Sequence, residues 1–428
     1  MKLVSDARLG RAHQLAQRGE VLQAELLYAA VLSEQPNCAE AARSIGALAA
    51  QREDWRRAID HYQMAVRVAP GDLGIQIELA QALCGFGQLE AAAALLRKLS
   101  QAAPEEPMVW LLLAETLDDL GQSLASCKAR YQALSCAQKR GQWKDASTTP
   151  AAVLDRVLAN MEKLRAGQRE HLMQSLEPFR LAHGSAAIRR VEKAARAYLQ
   201  EIDATPPDPR QRPKFLYFPD LPDIPYHDPM LQPWASTLAA GFADLREEAL
   251  TLLGEGNNFE SFLGLKPGEV LPNYVGGSSP NPAWDAYFFY RRGKRFDQNH
   301  ARCPKSSRLI DSLALCHVAH QAPEVCFSII QPGSHIMPHH GVTNSRLVMH
   351  LPLVVPPGCA LNIIDAGEHH WREGQLMMFD DTFQHEAWNR SELPRIILLM
   401  DCWNPHLDAV EQAATKALVE AIDAFEQA

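Results

Sequence analysis

The sequence predicts a multidomain protein, an all-α superhelix of stacked repeats followed by a domain of short antiparallel strands with flanking helices. Three observations predict it. The first 140 residues repeat with a period of 34, a proline-rich stretch near residue 210 interrupts the chain, and beyond it short apolar runs alternate with Gly, Pro, Asn and Asp. At 428 residues the chain is longer than one hydrophobic core usually serves.

Gly19, Gly87 and Gly121 lie on a 34-residue grid whose remaining point is Glu53. Ala24, Ala58 and Ala92 share the grid, as do Tyr28, Tyr62 and Leu96, and Pro36, Pro70 and Pro104; Ala12, Gly46, Ala80 and Ala114 form a further small-residue column. Small residues at fixed columns let antiparallel helices approach, the large residue fills the next groove, and proline closes each unit because it cannot continue a helix. The pattern resembles the tetratricopeptide repeat over residues 5–139, as four units. The last is degenerate, with Ser126 in the alanine column and no closing proline. Such a solenoid either holds a peptide or protein segment in its groove or only solubilises or dimerises the chain. His13 and His61 read as isolated, solvated side chains on these helices.

Residues 150–204 read as two helices, "AAVLDRVLANMEKLRAGQREHLMQSLEPFRLA" and "AAIRRVEKAARAYLQEI", bridging the domains. The stretch "DATPPDPRQRPKFLYFPDLPDIPYHDP" reads as a stiff extended linker. "WASTLAAGFADLREEALTLL" reads as one amphipathic helix. The division is then 1–140 for the repeats, 141–213 for a helical connector and linker, 214–405 for the strand-rich domain and 406–428 for a C-terminal helix.

Bulk properties narrow the function. A net charge of −9 argues against nucleic acid as the main partner. No run approaches the roughly 20 apolar residues that span a bilayer, and the first residues have no signal-peptide core, which points to the cytoplasm. Nine scattered cysteines without a CxxC indicate neither a zinc cage nor a disulfide framework.

In the C-terminal domain the runs "VCFSIIQ", "SRLVMHLPLVV", "CALNII", "QLMMFD" and "RIILLMDCW" read as strands of an antiparallel barrel or sandwich. Period-two alternation puts Arg346, Val348 and His350 on one face and Leu347, Met349, Leu351 and Leu353 on the other. Cys326, Ser328 and Ile330 share a face, so the Ser328 hydroxyl can line the same cavity. "FDDTFQHEAWNRSELPR" puts His385 at a strand end and a turn at Asn389–Pro394; a two-stranded return would carry Arg395 back beside the strand bearing His385. An arginine in an apolar barrel is costly unless an anion meets it, because its charge cannot be titrated away. With Ser328 as a neutral co-donor, these residues imply a pocket for a small carboxylic acid near two or three histidines.

The segments "SIIQPGSHIMPHHGVTNSRLVMHLPLVVPPG" and "FDDTFQHEAWN" with Arg395 resemble the aspartyl/asparaginyl β-hydroxylase family of iron(II)- and 2-oxoglutarate-dependent oxygenases. The resemblance spans about residues 214–405, and in the family too the arginine stands ten positions after the second metal-binding histidine. It implies a double-stranded β-helix of the jelly-roll or cupin kind, with Fe(2+), 2-oxoglutarate as cosubstrate and O2. His339 and His385 would be the iron ligands, Arg395 and Ser328 would hold the distal carboxylate of 2-oxoglutarate, and His350 would meet the carboxylate nearest the metal. Arg346 would contact the acidic or amide side chain being oxidised, an Asp or Asn β-carbon in a peptide or protein held by the repeats. Related oxygenases take a carboxylate ligand two residues after the first histidine. Here that position is Gly341, an absence this family shares, with water in its place. Family members carry an arginine where this chain has Val348, which weakens the inference toward an acidic substrate residue.

Bland readings stand beside these. His335 and His340 would lie outside the metal's immediate shell, His369 and His370 would be a surface hairpin pair, and Asp381 would hydrogen-bond a water on the iron. Arg346 is either a substrate contact or a structural ion-pair partner. Trp284 and Tyr287 either line the substrate mouth or pack locally. The alternative functions are the same chemistry on a carrier-bound amino acid, a small metabolite or a lipid acyl chain, or a non-catalytic peptide-binding scaffold.

Overall fold

The computed structural model describes residues 7–256, 259–264 and 274–426. The chain divides into two compact units, residues 1–170 and residues 171–426.

The first unit is built from four helix pairs: α1 (Ala7–Gln17) with α2 (Val21–Glu34), α3 (Ala39–Gln51) with α4 (Trp55–Val68), α5 (Leu73–Gly85) with α6 (Leu89–Ala102), and α7 (Pro107–Asp119) with α8 (Ser123–Lys139). The grid has a physical cause at each column. Gly19, Gly87 and Gly121 follow the first helix of their pairs with φ of 80°, 80° and 70°, and Glu53 adopts φ 59° at the same place. That left-handed position ends a helix and favours glycine. The small column faces the large one: a Cβ on Gly46 would lie 2.9 Å from the Tyr62 ring, and Ala12 and Tyr28 are both buried in one cluster. In the degenerate fourth pair, Ser126 donates to the Asp118 carboxylate. Arg130, in the large-residue column, pairs with that carboxylate at 2.6 Å and with Asn160 at 2.7 Å. Asn160 lies on α9 (Leu154–His183), whose Val157 packs with Leu111 and Leu134 to close this unit. His61 is not the solvated side chain expected: it is half-buried and its Nδ1 has no partner.

The second unit begins within the long connector helix. Leu172 and Leu176 of α9 pack with Val191 of α10 (Arg189–Tyr198) and with Leu418 and Ile422 of the terminal helix α15 (Ala409–Glu426). The boundary therefore falls at 170/171, where the apolar face of α9 changes partners, and not at 140 or 213. Residues 427–428 of the expected C-terminal helix lie outside the described residues. The proline-rich stretch is also no free linker. Gln211 bridges to Phe383, Leu216 to Thr343, and β1 (Tyr226–His227) pairs with a sheet strand. Proline spacing shows an extended path but cannot show what edge it will join.

The strands are β2 (Glu260–Ser261), β3 (Val275–Gly277), β4 (Trp284–Arg291), β5 (Lys294–Arg295), β6 (Val325–Ile330), β7 (Ser334–His339), β8 (Arg346–Val354), β9 (Cys359–Ile363), β10 (Gly367–His369), β11 (Met377–Phe379), β12 (His385–Asn389) and β13 (Arg395–Trp403). They form two antiparallel sheets, β1-β11-β8-β13-β6-β4-β2 with β5 beside β4, and β10-β9-β12-β7-β3. On the larger sheet Leu347, Met349, Phe327, Ile329, Leu398 and Met400 are buried on one face, beneath α11 (Ala235–Ala240), α12 (Phe242–Glu255) and the pair α13 (Asp297–Arg302) and α14 (Pro304–Asp311). The amphipathic stretch expected as one helix is broken at Gly241. A Cβ there would lie 2.2 Å from Leu309 of α14, so the break lets α14 approach. Among the described residues no helix is long and apolar enough to cross a membrane.

Candidate active site

β7 and β12 pair antiparallel with His339 opposite His385. Their imidazoles stand 4.1 Å apart between ring centroids. The Nδ1 of His339 lies 2.8 Å from the Met337 carbonyl and that of His385 lies 2.9 Å from the Phe383 carbonyl. A carbonyl only accepts, so each Nδ1 carries the proton and each Nε2 keeps its lone pair. Burial lowers the pKa of both rings; for His385, burial and the neighbouring His339 push it down to about 3. Both are neutral at pH 7, the state a metal ion requires.

The residues flanking these histidines are held by the proline-rich strap. Lys214 donates its backbone N–H to the Gly341 carbonyl, Leu216 to Val342 and Arg212 to Thr382. The strap thus joins the loop after His339 to the loop before His385.

Arg395 is not beside His385. His385 opens its strand, and β12 is flanked on both edges by β7 and β9. With no free edge there, the chain crosses to the other sheet, where Arg395 begins β13 opposite Ile330. Asn389 shapes that turn, donating to the carbonyls of Ile330 and Leu393 and accepting from Ser391. The two residues face each other across a cavity of about 170 Å³ instead of along one ladder.

Arg395 is 1% exposed. Its guanidinium lies over Trp371, 4.6 Å from the ring centroid, and Nη1 reaches the Ser328 carbonyl at only 3.4 Å. Its Nε has no partner, and no carboxylate among the described residues pairs with it. Burial pushes its pKa down to about 9, so the group remains charged at pH 7. Ser328 accepts a hydrogen bond from the Trp284 indole at 2.9 Å, which leaves its O–H proton to donate. His350 accepts from the Trp371 indole at 3.3 Å through Nδ1, so its proton is on Nε2, and that atom is buried without a partner. Burial and the nearby Arg395 hold His350 well below the usual imidazole range. One wall thus offers three unsatisfied or spare donors and a net positive charge.

Leu399, Val348 and Asp401 of the large sheet and Glu324, just before β6, also line the cavity, as does Asp381 beside Gly341. Arg346 does not reach into this space as a free contact. Its Nη1 lies 3.2 Å from the Asp401 carboxylate and 3.2 Å from the Gln321 carbonyl, so the ion-pair reading is the one the structure supports. Sequence spacing put Arg346 on the right face and could not show a carboxylate 55 residues away. Asp381 lines the cavity with no ion pair to its carboxyl group among the described residues; burial and the neighbouring Asp380 and Asp401 raise it to about 8. A Cβ built on Gly341 would lie 2.0 Å from its Cγ. The Asp381 carboxyl group fills the space that a side chain at residue 341 would enter.

The other histidines singled out from the sequence stand outside the pair. His335 pairs with Glu386 at 2.7 Å and His340 with the Thr382 carbonyl at 2.9 Å; neither lines the cavity. His370 is exposed, but His369 lies half-buried in β10 against Tyr226. Trp284 lines the cavity, stacked on Phe262 at 3.8 Å, whereas Tyr287 packs in the core beneath the large sheet. The residue that sequence reading missed is Trp371. It seats Arg395 and fixes the His350 tautomer, and its place in a turn-rich "EHHWREG" carries no signal of either. Among the described residues no group of three or more His, Cys, Asp or Glu is arranged to hold a metal ion; the imidazoles stand as a pair.

Residues 240–405 match the family model described as Aspartyl/Asparaginyl beta-hydroxylase, and residues 49–116 match a Tetratricopeptide repeat model. Aspartate beta-hydroxylase domain-containing protein 2 of Homo sapiens is 28% identical over 58% of this chain and 65% of its own length, so the chain spans less than two thirds of that relative. The ornithine lipid ester-linked acyl 2-hydroxylase of Rhizobium tropici is 29% identical over 44% of this chain and 64% of its own. The aspartyl/asparaginyl beta-hydroxylase of Homo sapiens is 32% identical over 32% of this chain and 18% of its own. Among solved structures, MamA 41-end from Desulfovibrio magneticus RS-1 covers 38% of this chain and 87% of its own at 16% identity, with a TM-score of 0.30.

Proposed function

We propose, from the match of residues 240–405 to the Aspartyl/Asparaginyl beta-hydroxylase model and of residues 49–116 to a Tetratricopeptide repeat model, that the chain is an iron(II)- and 2-oxoglutarate-dependent hydroxylase whose two sheets form a double-stranded β-helix. The observation that carries the reading is Arg395: a buried guanidinium with no counterion among the described residues, lining a cavity with two neutral imidazoles. Burying an unpaired charge is expensive, so the site calls for an anion that is not part of the chain.

The residues fit the implied groups. His339 and His385 would hold ferrous iron through Nε2, their rings fixed by the Met337 and Phe383 carbonyls. Arg395, stacked on Trp371, would clamp the distal carboxylate of 2-oxoglutarate, with the Ser328 hydroxyl as second donor. His350 would donate its Nε2–H to the other carboxylate. Asp381 would stand beside the iron, at the place a ligand from residue 341 would otherwise fill. When bound, the iron would supply the oxygen chemistry that turns the keto acid into succinate and CO2 while a C–H bond becomes C–OH. The protein's share is orientation and a cavity whose Phe262, Trp284, Val348 and Leu399 walls keep water out.

The repeats support a peptide or protein as the molecule oxidised. The expectation of an Asp or Asn β-carbon rested on Arg346, whose guanidinium is engaged by Asp401, so that part of the reading loses its contact. The acyl hydroxylase among the relatives keeps a lipid acyl chain as the second reading.

The test is succinate formation from 2-oxoglutarate with iron(II), ascorbate and O2. Wild type should turn over, and His339→Ala and Arg395→Ala should each lose at least about a hundredfold, roughly 2.7 kcal/mol of transition-state stabilisation. Equal rates in all three would remove the enzyme reading.

A further inference from the structure

We infer that Trp371 decides which keto diacid the site accepts: its ring holds the Arg395 guanidinium at one distance from the histidine pair, so that a diacid of one length spans the cavity and a longer one does not. This rests on the oxygenase reading above and deepens it by naming what selects the cosubstrate.

Trp371 lies in the connection between β10 of the smaller sheet and β11 of the larger one. It touches both groups that would grip the two ends of the keto acid. Beneath Arg395 it is a flat support, its ring centroid 4.6 Å from the guanidinium carbon. Toward His350 it is a donor, the indole nitrogen 3.3 Å from Nδ1. The ring is itself held: it is 5% exposed and packs with Ile330, Leu361, Met377 and Phe379, which come from both sheets.

Among the described residues nothing else keeps the guanidinium in one place. An arginine side chain turns about several bonds, and its fork is normally located by a carboxylate. Arg395 has none; Nη1 makes one long contact, 3.4 Å to the Ser328 carbonyl, and Nε makes none. What remains is the indole face, which attracts a desolvated guanidinium through the ring's electrons. At the other end His339 and His385 are fixed by the Met337 and Phe383 carbonyls. A diacid therefore meets two fixed ends in a cavity of about 170 Å³. One added methylene drives its distal carboxylate past the guanidinium or bends the chain into Ile336, Leu361 and Ile397.

The two contacts of Trp371 are separable. The carboxylate that His350 would meet is the same in every 2-keto diacid, whereas the one that Arg395 would meet moves with chain length. Losing only the indole N–H should weaken all of them alike. Losing the ring should remove the discrimination.

The experiment titrates the full chain, loaded with manganese(II), with 2-oxoglutarate and with 2-oxoadipate, one methylene longer, and reads binding by calorimetry without turnover. Wild type should prefer 2-oxoglutarate at least about tenfold, the scale of one misplaced methylene in a fixed pocket. Trp371→Phe keeps a ring beneath Arg395 and lacks the donor, so both affinities should fall about three- to tenfold, the worth of one hydrogen bond, with their ratio unchanged. Trp371→Leu should bring the preference below about threefold, because the cationic fork loses its platform. Lost folding abolishes both bindings and cannot imitate a narrowed ratio; if Trp371→Leu does not fold, Trp371→Phe decides alone. A preference that survives in Trp371→Leu, a wild type that binds both diacids equally, or a Trp371→Phe that changes the ratio or leaves both affinities intact overturns the inference. Wild type that binds neither diacid strikes the oxygenase reading as well.

Discussion

Two arginines, one in each unit, are almost equally buried and mean opposite things. Arg130 is 2% exposed and Arg395 1%. Around Arg130 the chain supplies everything the guanidinium needs: Asp118 at 2.6 Å, itself bonded by Ser126, and Asn160 at 2.7 Å. Around Arg395 it supplies an indole face, one long contact to a carbonyl, and an Nε with nothing to bond. Burial alone therefore does not mark a functional arginine. The unmet bonding capacity does, because a structural charge is balanced by the fold and a binding charge is left for the ligand.

The contrast is broken most forcefully by replacing each guanidinium with methionine, which keeps length and burial. Arg130→Met takes from the Asp118 carboxylate its buried partner, leaving it Ser126 and Lys163 at 3.0 Å, strands the Asn160 carbonyl, and should cost about 1–3 kcal/mol in the unfolding of the repeat unit, read by urea denaturation followed by circular dichroism. Arg395→Met removes an unpaired charge, and the protein without ligand should unfold no more easily than wild type, or less easily. The stabilisation of wild type by 2-oxoglutarate with manganese(II) should vanish in it. If Arg395→Met instead destabilised the ligand-free protein as Arg130→Met does, a partner for Arg395 within the chain would have to exist, and the binding role would fall.

How much of this was legible follows from how far apart the partners lie in the chain. The repeat columns recur every 34 residues, so small, large and turn positions could be read directly, including Ser126 as the odd member. The faces of β8 were legible because alternation is local: Val348 and His350 do line the cavity while Leu347 and Met349 are in the core. What was illegible is which sheet a strand joins. His385 and Arg395 are ten residues apart, yet lie in different sheets because β12 has both edges filled. The same limit hid the Asp401 partner of Arg346, the Trp371 partner of His350 and the strap at residues 211–227, each fixed by long-range pairing that no local pattern encodes.

Glycines sharpen the comparison at a smaller scale. In the repeat unit Gly19, Gly87 and Gly121 are needed for their positive φ, and each has open space where a Cβ would go. Gly341 is needed for room: its Cβ would meet the Asp381 carboxylate at 2.0–2.1 Å. Gly341→Ala should therefore cost about 1–3 kcal/mol through overpacking and reduce keto-acid turnover by displacing Asp381 from the histidine pair. Adding Asp381→Gly should return most of the stability without the turnover. Full stability in the single variant would mean that Asp381 swings away freely, and its placement beside the metal would lose its support.

The smallest effect tests the repeat column itself. Glu53 holds the left-handed conformation, φ 59°, that glycine holds in the other three pairs, and its Cβ bears a steric penalty that glycine avoids. Glu53→Gly should stabilise the repeat unit by about 0.5–1 kcal/mol after the greater freedom that glycine has when unfolded is subtracted. Gly87→Ala, at φ 80° with nothing near its Cβ, should lose a comparable amount from backbone conformation alone. The two changes run in opposite directions at one structural position. If neither moves the denaturation midpoint, the column is not held by its backbone angle, and the helix ends must be fixed by packing of the small and large columns instead.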